Sequence, residues 1–181
     1  MADKRQMSYP AGIDIGSTTA KVVICDSLNR LLFARYQRHQ GETVKMMRDI
    51  LKEAFNELGD IPVQVSVTGS AGMGAAEAFH VPFVQEVVAS ARLIKDVYPG
   101  VRTFIEVGGE DSKIIFFDDN FRPDIRMNGS CAGGTGAFID QMAVLLDVPV
   151  TEFNDLARKA ACIYPIASRC GVFAKTDIQA L

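Results

Sequence analysis

Ile105-Glu-Val-Gly-Gly-Glu-Asp-Ser-Lys-Ile-Ile-Phe-Phe117 decides the reading of this chain. A hydrophobic strand runs into a Gly-Gly turn flanked by Glu106, Glu110 and Asp111 and leaves as a second hydrophobic strand, so one tight loop presents carboxylates and bare backbone together. Such a loop suits a metal-bound polyphosphate. An earlier version of the plan stands at Ala11-Gly-Ile-Asp-Ile-Gly-Ser-Thr-Thr-Ala-Lys-Val-Val-Ile24, where a strand carrying Asp14 turns at Gly16 and returns after three hydroxyl side chains. Two such hairpins imply two lobes facing one nucleotide.

Outward from the hairpins, the pattern alternates strands and helices. Strands are expected at Ala11–Ile15, Ala20–Cys25 and Arg30–Arg38, forming an antiparallel meander. A helix follows, with Val44, Met47, Leu51, Phe55 and Leu58 on its apolar face and Gly59 as its stop. Val63–Val67 reads as a strand that ends in the glycine-rich turn Thr68-Gly-Ser-Ala-Gly72, which either lines a cleft or packs internally. Pro82 to Tyr98 reads as a helix through Val84, Val87, Val88, Ala91 and Ile94. Pro99-Gly100 marks a boundary between a first lobe, 1–98, and a second, 99–181. The second lobe restarts with strand, Gly-Gly turn and strand, then a turn at Asp118-Asp-Asn120. It continues with the glycine-rich loop Asn128-Gly-Ser-Cys-Ala-Gly-Gly-Thr-Gly136, a helix Phe138–Leu146, a helix Glu152–Cys162 and a helix-start signal at Thr176-Asp177. A chain that stops where a helix begins is expected to be a fragment.

The 181 residues are 48% hydrophobic and 23% charged, which is globular composition. No apolar run approaches the ~20 residues of a membrane span, and no apolar stretch follows the first charges, so a cytoplasmic protein without a membrane partner is expected. A net charge of −3 without a basic stripe argues against a nucleic-acid partner.

Neither a P-loop nor a dinucleotide-binding glycine fingerprint is present. In the first hairpin, Gly16 lets backbone approach phosphate, Ser17, Thr18 and Thr19 donate hydrogen bonds, Asp14 orients the waters of Mg2+, and Lys21 neutralises charge. The ordinary alternative is a polar turn with no ligand. In the second, Glu110 or Asp111 positions water for attack on a terminal phosphate; the alternative there is a tight turn with solvated acids.

Of the four cysteines, Cys131 and Cys170 each precede a helix, where dipole and free amides stabilise a thiolate or the sulfides of an iron–sulfur cluster. Two thiolates do not complete a cubane, but a symmetric dimer supplies four. Alternatively both are small core-lining residues. Cys25 and Cys162 read as core, His39 as a surface residue and His80 as a packing residue.

Gly12-Ile-Asp-Ile-Gly-Ser-Thr-Thr-Ala-Lys21, Glu106-Val-Gly-Gly-Glu-Asp-Ser-Lys113, the Asn128–Phe138 loop and Cys170-Gly-Val-Phe-Ala-Lys-Thr-Asp-Ile178 together resemble the activators of 2-hydroxyacyl-CoA dehydratases and the ATPase subunits of benzoyl-CoA reductase. The resemblance covers nearly the whole chain. It implies an α/β, actin-like (ribonuclease H-like) ATPase fold of two lobes with mixed sheets, the second lobe incomplete. It implies ATP and Mg2+ held by the first-hairpin residues already named, by Glu106, Gly108, Gly109 and Lys113, and by Gly133, Gly134 and Thr135. Further implied are a homodimer sharing one 4Fe-4S cluster on Cys131 and Cys170, a reductant such as ferredoxin or flavodoxin, and ATP-driven transfer of a low-potential electron. The acceptor would be a 2-hydroxyacyl-CoA dehydratase or benzoyl-CoA reductase-like enzyme, on a separate chain or, as in long fused relatives, on the same polypeptide. The family commonly has Asp-Ile-Gly-Gly-Gln-Asp in the second hairpin, where this chain carries Glu106 and Glu110, and its adenosine-binding glycine motif would follow residue 181. A redox-silent small-molecule kinase or nucleotide-gated interaction module of the same superfamily is the competing reading.

Overall fold

The computed structural model describes residues 8–128 and 133–181, arranged as two compact units, Met1–Pro99 and Gly100–Leu181. In the first unit, β1 (Tyr9–Ile15), β2 (Thr19–Cys25) and β3 (Leu31–Arg38) form the antiparallel meander, and β4 (Val63–Thr68) joins β1 in parallel, giving the order β3-β2-β1-β4. Alternation along these strands sends Ala11, Ala20, Val22, Ile24 and Phe33 to one face, where they cluster with Ile50 and Ala54 of α1 (Thr43–Leu58).

The buried face of α1 is rotated from the expected one, with Met47 and Leu58 still partly buried against the core. Ile50 and Ala54 are buried, whereas Val44, Leu51 and Phe55 are 76%, 46% and 59% exposed. The helix carries two apolar stripes about 100° apart, one residue's rotation, and periodicity does not choose between them. Contacts from outside the helix do. In the rotation that packs Ile50 and Ala54 with Val22, Ile24 and Phe33 of the sheet, Arg35 on β3 also reaches Glu53 at 2.7 Å and Glu57.

After β4 come α2 (Gly72–Phe79) and α3 (Glu86–Val97). The latter begins four residues later than expected from Pro82, because the Val67 amide donates to the Pro82 carbonyl and the Val84 amide to the Val67 carbonyl, both at 2.8 Å. Those bonds hold Pro82–Val84 extended beside β4.

In the second unit β5 (Thr103–Val107), β6 (Ser112–Phe117) and β7 (Pro123–Asn128) repeat the antiparallel meander. Sequence patterning gives no signal for β7. Its residues are exposed throughout, so it lacks alternation, and a proline opens it. Its direction is set by the preceding turn, where the Asp118 carboxylate accepts from the Asn120 and Arg122 amides at 2.8 Å each.

Four helical segments follow: α4 (Gly136–Leu146), a 3-10 turn (Val150–Glu152), α5 (Phe153–Arg158) and α6 (Gly171–Gln179). Because α5 ends at Arg158 rather than Cys162, Cys162 is exposed and not a core residue. Helix α6 starts at Gly171, five residues before Thr176-Asp177. Asp177 does cap a backbone amide, but one across a loop: its carboxylate accepts from Ala167 N–H at 2.8 Å. Ile115, Phe117, Met142, Ala143 and Ala174 are the buried apolar residues of this unit among the described residues. No helix among the described residues is long and apolar enough to cross a membrane.

Candidate functional site

The β1–β2 register places Asp14 directly opposite Lys21, and their side chains meet at 2.7 Å between Oδ2 and Nζ. The turn between them is closed by the Gly16 amide donating to the Thr19 carbonyl at 2.9 Å. Ser17 and Thr18 occupy its half-buried tip, while Thr19 is buried. Asp14 uses only one of its oxygens. Oδ1 is buried without a hydrogen-bond partner, and so is Oγ1 of Thr68, which lies opposite Asp14 in the β1–β4 register. Unmet buried oxygens of this kind call for a ligand, an ion or water.

The glycine-rich turn after β4 packs internally on this hairpin. The Ala71 amide donates to the Ile15 carbonyl at 2.9 Å, and Gly69, at φ +99°, would place a Cβ 2.2 Å from the Ile15 carbonyl oxygen and 2.6 Å from Asp14 Oδ1. Only glycine fits there.

The second hairpin reproduces the first atom for atom in its essentials. Glu106 lies opposite Lys113, and the Gly108 amide donates to the Asp111 carbonyl at 2.8 Å. Asp14, Gly16 and Lys21 thus recur as Glu106, Gly108 and Lys113. Lys113 is buried, 3.0 Å from Asp111 Oδ2 and 3.4 Å from Glu106 Oε1, and Glu106 Oε2 is buried without a partner. The two catalytic candidates therefore differ in setting. Asp111 is ion-paired, whereas Glu110 is exposed at the turn. The first amides of α4 close on this turn, with Gly136 N–H donating to the Gly108 carbonyl at 2.7 Å and Ala137 N–H to the Gly109 carbonyl at 3.0 Å. Thr135, fully buried, is the N-cap residue of α4. Gly108, Gly109 and Thr135 are thereby brought together.

Cys131 lies outside the described residues. Cys170, half-buried, is the N-cap residue of α6. The next residue, Gly171, is pressed against the preceding glycine loop: a Cβ there would meet Gly133 Cα at 3.1 Å and its nitrogen at 3.2 Å. Asn128 reinforces that loop, its side-chain amide donating to the Gly133 carbonyl at 3.0 Å. Gly133, Gly134 and Cys170 line one cleft of about 330 Å³. Among the described residues, no group of three or more His, Cys, Asp or Glu side chains converges as a metal site.

The histidines exchange the roles expected of them. His80 is exposed at the end of α2, in left-handed conformation at φ 54°. His39 is 6% exposed and lies against the first hairpin, with Nε2 3.0 Å from the Gly16 carbonyl oxygen. Nothing in the local sequence signals this contact, which spans 23 residues.

Twin meanders, each opening with an acid–glycine–lysine hairpin, define an α/β chain of the actin-like fold, and the solved neighbours share that architecture. The activator of 2-hydroxyisocaproyl-CoA dehydratase from Clostridium difficile, solved with bound ADPNP, superposes with a TM-score of 0.84 at 31% identity, over 95% of this chain and 65% of that one. The family model of the BadF/BadG/BcrA/BcrD ATPase family matches residues 11–181, and the chain belongs to that family. Among curated relatives, the 2-hydroxyisocaproyl-CoA dehydratase activator of Clostridioides difficile is 32% identical over 175 residues, 94% of this chain and 64% of the relative. The (R)-2-hydroxyglutaryl-CoA dehydratase activating ATPase of Acidaminococcus fermentans is 30% identical over 174 residues, 94% of this chain and 66% of the relative. The chain thus spans about two thirds of the length of these relatives.

Proposed function

We propose that the chain is part of a cytoplasmic ATP-dependent activator. In this reading it holds a 4Fe-4S cluster at a homodimer interface and passes a low-potential electron to a 2-hydroxyacyl-CoA dehydratase or benzoyl-CoA reductase-like partner. A ferredoxin or flavodoxin serves as reductant. The observation that carries the reading is the packing of Gly171 on Gly133, which sets Cys170 beside the glycine loop that follows Cys131.

Nucleotide and metal have residues suited to them. The unmet Asp14 Oδ1 and Glu106 Oε2 are hard oxygen donors of the kind that orient the waters of Mg2+. Gly16, Ser17, Thr18 and Thr19 supply amides and hydroxyls to phosphate oxygens, and Lys21 supplies positive charge. On the second turn, Gly108, Gly109 and Lys113 do the same, together with Gly133, Gly134 and Thr135. Glu110 is the carboxylate open to a water, while Asp111 is ion-paired with Lys113 and holds the turn.

For the cluster, the fitting feature is a soft sulfur donor at the N-cap of a helix, of the kind that ligates iron–sulfur clusters. When bound, the cluster supplies one-electron chemistry. Hydrolysis can drive such a transfer uphill provided the nucleotide binds two states of the dimer with different affinities.

The test is iron and sulfide content on anaerobically purified, reconstituted protein, together with its mass in solution. About four irons per dimer are expected, lost in both Cys131→Ser and Cys170→Ser. Iron retained at the wild-type ratio in both variants, or an iron-free monomer after reconstitution, sinks the cluster assignment.

A further inference from the structure

We infer that His39 is a positioning residue that presets the amides of the first phosphate-binding turn; the inference rests on the reading of that turn as a phosphate site. His39 stands immediately after β3 and is buried. Four hydrogen bonds converge on it. Its ring Nε2 lies 3.0 Å from the Gly16 carbonyl oxygen, and the Gly41 amide donates to its Nδ1 at 3.1 Å. Its own amide donates to the Thr18 carbonyl at 3.2 Å, and its carbonyl accepts from the Glu42 amide at 2.7 Å.

These partners fix the placement of the ring hydrogen. A carbonyl oxygen only accepts, so Nε2 carries the hydrogen; an amide N–H only donates, so Nδ1 is bare. The ring is therefore held in a single tautomer with both nitrogens engaged.

The consequence falls on the turn. His39 takes both carbonyls that flank Ser17, Gly16's through the ring and Thr18's through the backbone. In a planar trans peptide the N–H of the next residue is directed opposite to the carbonyl. Fixing the Gly16 and Thr18 oxygens toward His39 therefore fixes the Ser17 and Thr19 amides away from it. An oxyanion meeting amides that are already aimed incurs less ordering cost than one that must order them, which is the advantage of preorganisation. Gly41, at φ +84°, and Gln40, at φ 49°, form the left-handed bend that returns an amide to Nδ1, so the β3–α1 connection supports the ring from its other side.

The experiment compares His39→Gln with His39→Asn. Gln can put a donor where Nε2 stands, whereas Asn reaches only the Nδ1 position and leaves the Gly16 carbonyl unpaired. Three readouts apply: ring 15N shifts of the wild type, hydrogen exchange of the Ser17–Thr19 amides without nucleotide, and calorimetric affinity for Mg2+ with ADPNP. A bare Nδ1 and protonated Nε2 are expected. In His39→Asn, faster turn exchange and about tenfold weaker affinity are expected, the effect of one unpaired buried acceptor, with near wild-type values in His39→Gln. Unchanged exchange in His39→Asn, or equal losses of exchange protection in both variants, overturns the inference. A wild-type chain that fails to bind ADPNP removes the phosphate reading instead, while turn exchange in the two variants still decides whether His39 holds the amides.

Discussion

Adding one methyl group at Gly16 distinguishes what the folded chain requires from what a phosphate requires. A Cβ at this position would lie 3.5 Å from the Thr19 carbonyl oxygen, 3.7 Å from Thr19 Oγ1 and 3.9 Å from Lys21 Nζ, all ordinary contacts. Gly16 is also absent from the glycines with positive φ. The folded state accepts alanine there, and the lost freedom of the unfolded chain raises stability by about 0.4–1 kcal/mol. A phosphate seated on the turn, however, would meet the methyl. Losing one charge-assisted hydrogen bond costs about 1.5–3 kcal/mol, a tenfold to hundredfold weaker affinity. Gly69→Ala is the contrasting case. Its Cβ would overlap the Ile15 carbonyl oxygen at 2.2 Å in a left-handed backbone. Left-handed strain alone costs about 1–2 kcal/mol, and relieving the overlap adds to it, a large share of the ~5–15 kcal/mol that stabilises a domain. Urea denaturation and calorimetry with Mg2+ and ADPNP measure both effects. Gly16→Ala that binds nucleotide with wild-type affinity refutes the assignment of phosphate to this turn.

Two further substitutions test the electrostatics of the fold. Lys113→Met leaves Glu106 and Asp111 facing one another without their cation; a loss of about 3 kcal/mol is expected, at the low end for a buried pair because Asp111 is partly exposed. An unchanged urea midpoint would show that water compensates the carboxylates. Asp26, in the β2–β3 turn, accepts from the Arg30 amide at 2.9 Å, from the Leu28 amide at 2.8 Å and from Arg30 Nε at 2.6 Å. These bonds, the Arg30 amide foremost, outweigh burial and hold its carboxyl below the ordinary value of 3.8. The stability they contribute is fully present above that value and is lost as pH falls through the lower folded-state value. Asp26→Asn is therefore expected to destabilise the protein at neutral pH and to flatten its acid dependence below pH ~4, followed by denaturation midpoints across that range.

Both hairpins were legible because everything that makes them is local. An acid, a glycine and a lysine at matched spacing, set between apolar alternation, specify strand, turn and cross-strand pair within eight residues, Asp14 to Lys21 and Glu106 to Lys113. The cysteine loops were legible only through resemblance, since two cysteines separated by 39 positions carry no spacing signal of their own. The closeness of the Cys170 turn to Gly133 depends on Gly171 packing there, a contact between segments that no local rule connects.

The sequence by itself determined the order of elements, the acidic turns and the apolar stripes, because propensity, alternation and turn chemistry act over a few residues. Tertiary structure alone decided which stripe of α1 is buried, since the apolar face of the sheet chooses it. It also decided that Pro82–Val84 extends along β4 rather than starting a helix, that Asp177 caps Ala167, and that His39 lies beneath the Gly16 turn. Each of these is a hydrogen bond or packing contact between distant segments, and its free energy exists only once the chain has brought them together.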